Sequence, residues 1–183
     1  TFVFTGHLSA ISPEFKEKVG QAKSPNWPDA ANFIKAPKND GVMAQIKQNP
    51  GTIGYVEYGF AKLTGHDQVA LLENKAGNFV APGPESGAAA VASAEFPEAK
   101  LPSGAPDLRA FIYDPAGENA YPIASMTWLL LYTDYEDEKL QVVQDMIAYM
   151  ISDEAQGQAD SLGYVPLPAD VIEKVKEAAK VIQ

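Results

Sequence analysis

The sequence predicts an α/β fold, on three observations. Apolar residues recur at helical spacing in several stretches, among them Val3, Leu8, Ile11, Phe15 and Val19. Other stretches, such as TIGYVEY at 52–58 and YPIASMTWLLLY at 121–132, are strand-sized and rich in β-branched and aromatic residues. The two kinds of segment mix along the whole chain, with no internal repeat and no low-complexity tract.

In chain order, the opening TFVFTGHLSAISPEFKEKVG reads as a short helix over about 2–10, a break at Ser12-Pro13, and a second helix over 13–19 stopped by Gly20. Thr1 is the only cap available to the first helix. Its bare N–H groups and positive dipole end face whatever adjoins Thr1, an arrangement suited to a small anion. Residues 21–38, punctuated by three X-Pro pairs, read as an irregular surface segment pinned by Trp27 with Phe33 and Ile34. Asn39 or Asp40 then caps a helix carrying Val42, Met43 and Ile46, which the NPG at 49–51 ends.

TIGYVEY follows as a strand, and GFAKLTG as a brief helix with a glycine stop. VALLENKAGNFVAP folds as a hairpin about Lys75, Ala76 and Gly77. Pro84 opens a helix of small residues over 87–94. LRAFIYD and YPIASMTWLLLY are strands joined through DPAGEN, the second apolar enough to be buried on both faces. Asp134, with Asp137 three residues on, caps a helix whose buried stripe is Val142, Val143, Met146, Ile147, Met150 and Ile151. A further helical turn over 155–162 ends at Gly163, and the chain closes on a helix carrying Val171, Ile172, Val175, Ala178 and Ile182. The shift of character at 121–123 is the expected domain crossing.

Charge and composition narrow the function classes. A net charge of −10 argues against nucleic acid, which calls for a basic stripe. Any anionic ligand must be held by local dipoles against an unfavourable overall field. The absence of cysteine excludes disulfides, thiolate catalysis and thiolate zinc sites; it fits a periplasmic protein and does not exclude a cytosolic one. No apolar run is long enough to span a bilayer; the best, MTWLLLY, is strand-sized.

Chemistry-bearing residues are sparse. His7 and His66 are the only histidines, and no GxSxG elbow accompanies them, so neither is expected to be catalytic. The acids of DYEDE (Asp134, Glu136, Asp137, Glu138) lack the ligand spacing and central glycine of a calcium loop and read as a helix start. NDG at 39–41 and ENKAG match neither phosphate-loop pattern. Trp27, Trp128 and the tyrosines read as core and hinge packing rather than as stacking platforms. No metal, cofactor or catalytic residue is expected from these patterns.

The segments TFVFT, LSAISPEFKEKVG, NWP, NDGVMAQIKQNPGTIGYVEYGFA, LENKAGNFVAP, AYPIASMTWLLLY and LGYVPLPADVIEKV follow one another in this order from the start of the sequence to its last helix. In this combination the sequence resembles the phosphate-binding proteins of high-affinity phosphate ABC transporters, most nearly their cyanobacterial type. The resemblance implies a type II periplasmic substrate-binding protein with two mixed-sheet α/β lobes joined by hinge strands. Residues 1–120 would form the larger part of the second lobe, including the helix that follows the phosphate-binding loop. Residues 121–183 would supply a hinge strand and the return to the first lobe.

The implied function is to bind inorganic phosphate in the cleft and deliver it to an ABC permease in the inner membrane, without catalysis and without nucleic acid. The other readings to weigh are a binding protein for sulfate or molybdate, and a phosphatase-like hydrolase. In the family an Arg-x-Asp-Gly-Ser-Gly-Thr stretch that binds phosphate precedes the helix resembling TFVFT. Thr1 therefore abuts the ligand loop and is the one residue of this sequence that the resemblance sets beside the phosphate site, with no ligand carried over. The expectation is a C-terminal portion whose N-terminal partner segment, and any membrane anchor it carries, lie outside this sequence. Such a portion should expose a large apolar surface on its N-terminal side unless a partner covers it.

Overall fold

The computed structural model of the chain describes residues 1–66 and 68–183. Helix α1 spans Phe2–Ile11 and α2 spans Pro13–Lys18. The break between them has a simple cause. Ser12 leaves the helical region (φ −130°, ψ 106°), and its hydroxyl accepts from the Phe15 N–H at 3.2 Å, with Pro13 in the first-turn position where a missing donor costs nothing. Trp27 packs its ring 6.1 Å from that of Phe15, pinning the irregular segment that follows. Phe33 and Ile34 are exposed and do not share in the pinning.

Helix α3 (Lys38–Gln48) starts on Pro37 rather than on Asn39 or Asp40. The Asn39 carboxamide instead accepts from the Glu57 N–H at 3.3 Å, and so ties this helix to a later loop. Helix α4 (Tyr58–Leu63) is capped by the Glu57 carboxylate, which accepts from Gly59 and Phe60 at 2.7 Å each. Strands β1 (Leu72–Glu73) and β2 (Phe79–Val80) form the expected hairpin, antiparallel with Leu72 opposite Val80. Helix α5 (Pro84–Ala92) follows, and then a long stretch without helix up to α6 (Asp137–Met150). Helix α7 (Asp153–Gln158), a 3-10 turn at Asp160–Leu162 and α8 (Ala169–Ala179) complete the chain.

Several strand readings change. Residues 52–57, 108–114 and 121–132 carry no ladder; their one pairing is an isolated antiparallel bridge between Tyr113 and Ile123. β-branched and aromatic composition favours extended backbone, but a strand exists only where a neighbour supplies its hydrogen bonds. Nor is 121–132 buried on both faces, since Leu130 is 95% exposed and Leu129, Leu131 and Tyr132 are exposed too. Likewise α6 buries only Ile147 fully, while Val142, Met146 and Met150 of the expected stripe face outward. Its cap is Glu136; the Asp134 carboxylate accepts from the adjacent Thr133 hydroxyl instead.

The core sits where α5 meets the 110–126 stretch and the start of α8. Ala90, Val91, Ile112, Ala120 and Val171 are buried there, with Phe96, Met126 and Leu167 packed around them. Small residues let the backbones approach closely. At a second close approach, a Cβ on Gly59 would lie 2.5 Å from the Gly163 carbonyl oxygen, and Gly163 turns there at φ 80°. Lys62 donates across the same junction to the Asp160 carbonyl at 2.8 Å and pairs with its carboxylate.

Two buried polar side chains carry consequences. The Asn74 amide donates to the Gly117, Glu118 and Ala120 carbonyls at 3.3, 2.8 and 3.2 Å, while its oxygen accepts from Ala76 and Asn78 at 3.1 and 3.0 Å. One side chain thus closes the hairpin turn and staples it to the DPAGEN loop. His7, 5% exposed, has an Nδ1 without a partner. Burial holds its pKa below the ordinary 6.5, although the nearby Asp114 carboxylate pulls the other way.

Asn74→Ala orphans buried carbonyl and N–H groups at once, and should lower the unfolding free energy by about 2–4 kcal/mol in urea titrations. For His7 the folded state binds a proton less readily than the unfolded chain. Stability should therefore fall as pH drops below 6.5 towards the depressed folded value, and be insensitive to this group above that window. Urea midpoints compared at pH 7.5 and 5.5 should show that fall, and His7→Gln should reduce it.

Candidate functional site at the first helix

Three of the segments packed on α1 converge on its first turn. Thr5 is the fixed point. It is fully buried, its hydroxyl accepts from the Ala22 N–H at 3.2 Å, and the same oxygen lies within 3.2 Å of the Thr1, Phe2 and Ala22 carbonyls. The Gln21 amide reaches the Phe2 carbonyl at 3.4 Å and also donates to the Tyr113 hydroxyl. Gly6 makes this fit possible, since a Cβ there would lie 2.4 Å from the Tyr113 ring and 2.6 Å from the Gln21 amide nitrogen. The segments at 21–22 and 108–113 therefore reach the backbone of α1 itself.

Aromatic rings close the remaining sides. Tyr55 stacks on Phe4 with centroids 4.1 Å apart and planes 15° apart. Phe2 meets Phe111 edge-on at 6.2 Å, and Phe111 in turn contacts Tyr113 and Trp128. Trp128 is held by its indole N–H, which donates to the Leu108 carbonyl at 2.6 Å. Such pairs orient rings as well as burying area.

At the mouth of this collar Thr1 is exposed and stands at the N-cap of α1. Its hydroxyl makes no bond to the first-turn N–H groups and lies instead 2.9 Å from the Tyr55 hydroxyl. No acidic side chain occupies the first turn. Within this sequence the Val3 and Phe4 N–H groups have no side-chain cap, and the positive end of the helix dipole lies at Thr1. The chemistry available there is hydrogen bonding to an anion.

The other candidate residues lie apart from this turn. His7 is in the core, one turn further along α1. His66 lines a pocket of about 350 Å³ with Tyr58, Lys62, Gly65, Val69 and Pro82, and Thr1 is not among those residues. Asp137 and Glu138 sit in the first turn of α6, where acids favour the helix dipole, as the helix-start reading expects. Among the described residues no group of three or more His, Cys, Asp or Glu could hold a metal ion. Asp107 is clasped by the Arg109 guanidinium at 2.7 and 2.9 Å, which holds its carboxyl down to about 2, away from any role in proton transfer at neutral pH.

Sequence reading missed Tyr55, Gln21 and Tyr113 as neighbours of the helix start. One signal for them was present. An isolated glycine, Gly6, inside an apolar helical run marks a close backbone approach. Nothing local said what approaches.

Residues 1–154 match the PBP superfamily domain. Three curated relatives are each named phosphate-binding protein PstS. That of Methanocaldococcus jannaschii is 36% identical over 93% of this chain and 46% of its own length. That of Xylella fastidiosa is 33% identical over 96% and 46%. That of Haemophilus influenzae is 35% identical over 98% and 51%. The chain thus spans about half the length of the curated relatives it matches. Among the described residues no helix is long and apolar enough to cross a membrane. On the match over residues 1–154, the chain belongs to the PBP superfamily.

Proposed function

We propose that this chain supplies part of an inorganic-phosphate site, with the first turn of α1 as its contribution, in a periplasmic binding protein that serves an ABC importer. The observation that carries the proposal is the start of α1 described above, held on several sides by Thr5, Gln21 and Tyr55. The relatives' printed name supplies the ligand. A dianion suits an acidic chain when donors rather than net charge do the holding, because several aligned N–H groups at short range outweigh a screened global field.

In this reading the fold is two-lobed and type II. Residues 1–120 form the larger part of one lobe, and residues 121–183 form a hinge connection and the return to the other. Thr1 borders the ligand loop, and further ligands come from sequence of the kind found in the half of the relatives that this chain does not match. That same half covers the exposed apolar residues around Ile53, Phe111 and Leu129–Leu131. Closure of the lobes on phosphate signals occupancy to the permease. The protein acts by binding, with no catalytic step. Sulfate and molybdate are disfavoured by the relatives' shared name, and a hydrolase would need an activated nucleophile that the helix mouth lacks.

Calorimetric titration decides the matter. A protein carrying this sequence together with an N-terminal half like that of the relatives should bind phosphate tightly and sulfate at least about 100-fold more weakly, the scale on which an unpaired buried polar group discriminates. The 183-residue stretch alone should bind phosphate weakly or not at all. Equal affinity for the two anions, or no heat with phosphate in the longer protein, would overturn the proposal.

A further inference from the structure

A cavity of about 350 Å³ lies between α4 and the feet of the β1–β2 hairpin, lined by Tyr58, Lys62, Gly65, His66, Val69 and Pro82. Its size is at the lower end of the range in which proteins hold small molecules. Tyr58 and Lys62 stand four residues apart on α4 and so share one of its faces. Gly65 then turns at φ 72°, and the chain folds back on the helix through two bonds. The Gly65 N–H donates to the Lys62 carbonyl at 3.1 Å, and the His66 N–H to the Ala61 carbonyl at 2.8 Å. A glycine at this helix end is what permits the turn, and it sets His66 over the last turn of α4. We propose that this cavity binds a small monocarboxylate, held by the side chains of Tyr58, Lys62 and His66, with Val69 and Pro82 flanking its hydrocarbon part.

Each of the three side chains has a hydrogen to give. The Lys62 ammonium carries three, and it donates to the Asp160 carbonyl at 2.8 Å and to the Asp160 carboxylate, which leaves one for a ligand. Tyr58 brings its phenolic hydroxyl. The Nδ1 atom of His66 is shut off from solvent and has no partner among the described residues. The proton of the neutral ring therefore belongs on Nε2, the nitrogen that can still find an acceptor. A gap left by imperfect packing stays apolar, whereas three of these six lining residues carry side-chain donors. Among the described residues no Asp or Glu lines the cavity to take them up. Charge then narrows the ligand. Asp160 offsets the positive charge of Lys62, so one negative charge suits the site better than two, in a chain whose sum is −10. The walls are fixed before anything binds. Gly59 is pressed against Gly163 on one side, and Asn74 staples the hairpin to the 117–120 loop on the other. A site already in place costs less to fill.

The proposal stands apart from the phosphate reading and is tested beside it. The probe is butyrate, titrated into the longer protein used for calorimetry with phosphate present throughout, and followed by amide chemical shifts. The amides of Gly65, His66 and Val69 should shift saturably in the millimolar range, and added sulfate should not shift them. Tyr58→Phe removes one oxygen, and His66→Phe removes the ring donor while keeping an aromatic ring. Each should weaken butyrate binding by about 10-fold, the effect of losing one hydrogen bond to a charged group, with phosphate affinity and thermal stability unchanged. Shifts that rise without saturating mark an adventitious anion only and overturn the proposal, as do shifts that sulfate reproduces. So does an unchanged butyrate affinity in either variant, or a loss that comes with a fall in thermal stability. Failure of the longer protein to bind phosphate overturns the function proposed above, and butyrate titrated without phosphate then decides on the cavity by itself.

Discussion

Four hydrogen-bonding groups crowd one buried oxygen at the start of this chain, and the position of α1 follows from it. The Thr5 hydroxyl meets the Ala22 N–H and carbonyl together with the carbonyls of Thr1 and Phe2, so it ties the first turn of the helix to the segment that returns after α2. A hydroxyl has one proton to give, and three carbonyls share it. What matters is that the Thr5 side chain is fully buried, so that removing its oxygen leaves the half-buried Ala22 N–H without this partner. Gly6, one residue later, lets Tyr113 and Gln21 close on the same turn. A helix start set this firmly loses little conformational freedom when a ligand arrives, which is the physical content of preorganisation.

Electrostatics in this chain are local for the same reason. Among the described residues most ion pairs join neighbours in sequence on exposed helix faces, as in Lys18 with Glu14 and Lys176 with Glu173, where solvent screens them to roughly 0.2–1 kcal/mol at most. They neither shape the fold nor create a positive field, and the sum of charges remains −10. Any selectivity for an anion has to come from donors that are fixed and aligned. The first turn of α1 has those and lacks the carboxylates that open α2, α3, α5 and α6. An acid there would serve the dipole as a ligand does and would compete for it.

How far the sequence revealed this fold depended on whether a signal was local. Some helix starts and stops were readable, because Ser12 with Pro13 and the turn at Gly163 act within a few residues of themselves, whereas Asn39 and Asp134 bond elsewhere and leave the caps of α3 and α6 to Pro37 and Glu136. The hairpin at Leu72–Val80 was readable because its turn residues demand it. Strands were not, since Ile53 to Val56 or Leu129 to Leu131 announce only that they suit extended backbone, and a ladder needs a partner no local pattern names. The α6 stripe failed in the same way: periodicity shows which residues share a face, and leaves open whether anything covers it. The candidate site was legible only as a helix start beside Thr1. Its partners Tyr55 and Tyr113 come from positions 54 and 112 residues away along the chain, and no spacing rule connects them.

Those uncovered apolar surfaces bear on how the site would work. Ile53 is 88% exposed two residues from Tyr55, and Phe111 is exposed while touching Phe2, so the apolar surface begins at the collar around α1 rather than at a distance from it. Burying such side chains is worth about 1.5–3 kcal/mol each relative to water, and a soluble chain gains by covering several that lie together. If the second lobe of the proposed protein packs there, the elements that hold the helix mouth are the same elements that carry the inter-lobe contact. Tyr55 would then be set from one side by Phe4 and from the other by whatever covers Ile53. Ligand capture and lobe packing would share a single aromatic cluster, which is a direct route by which occupancy of the helix mouth could bias closure.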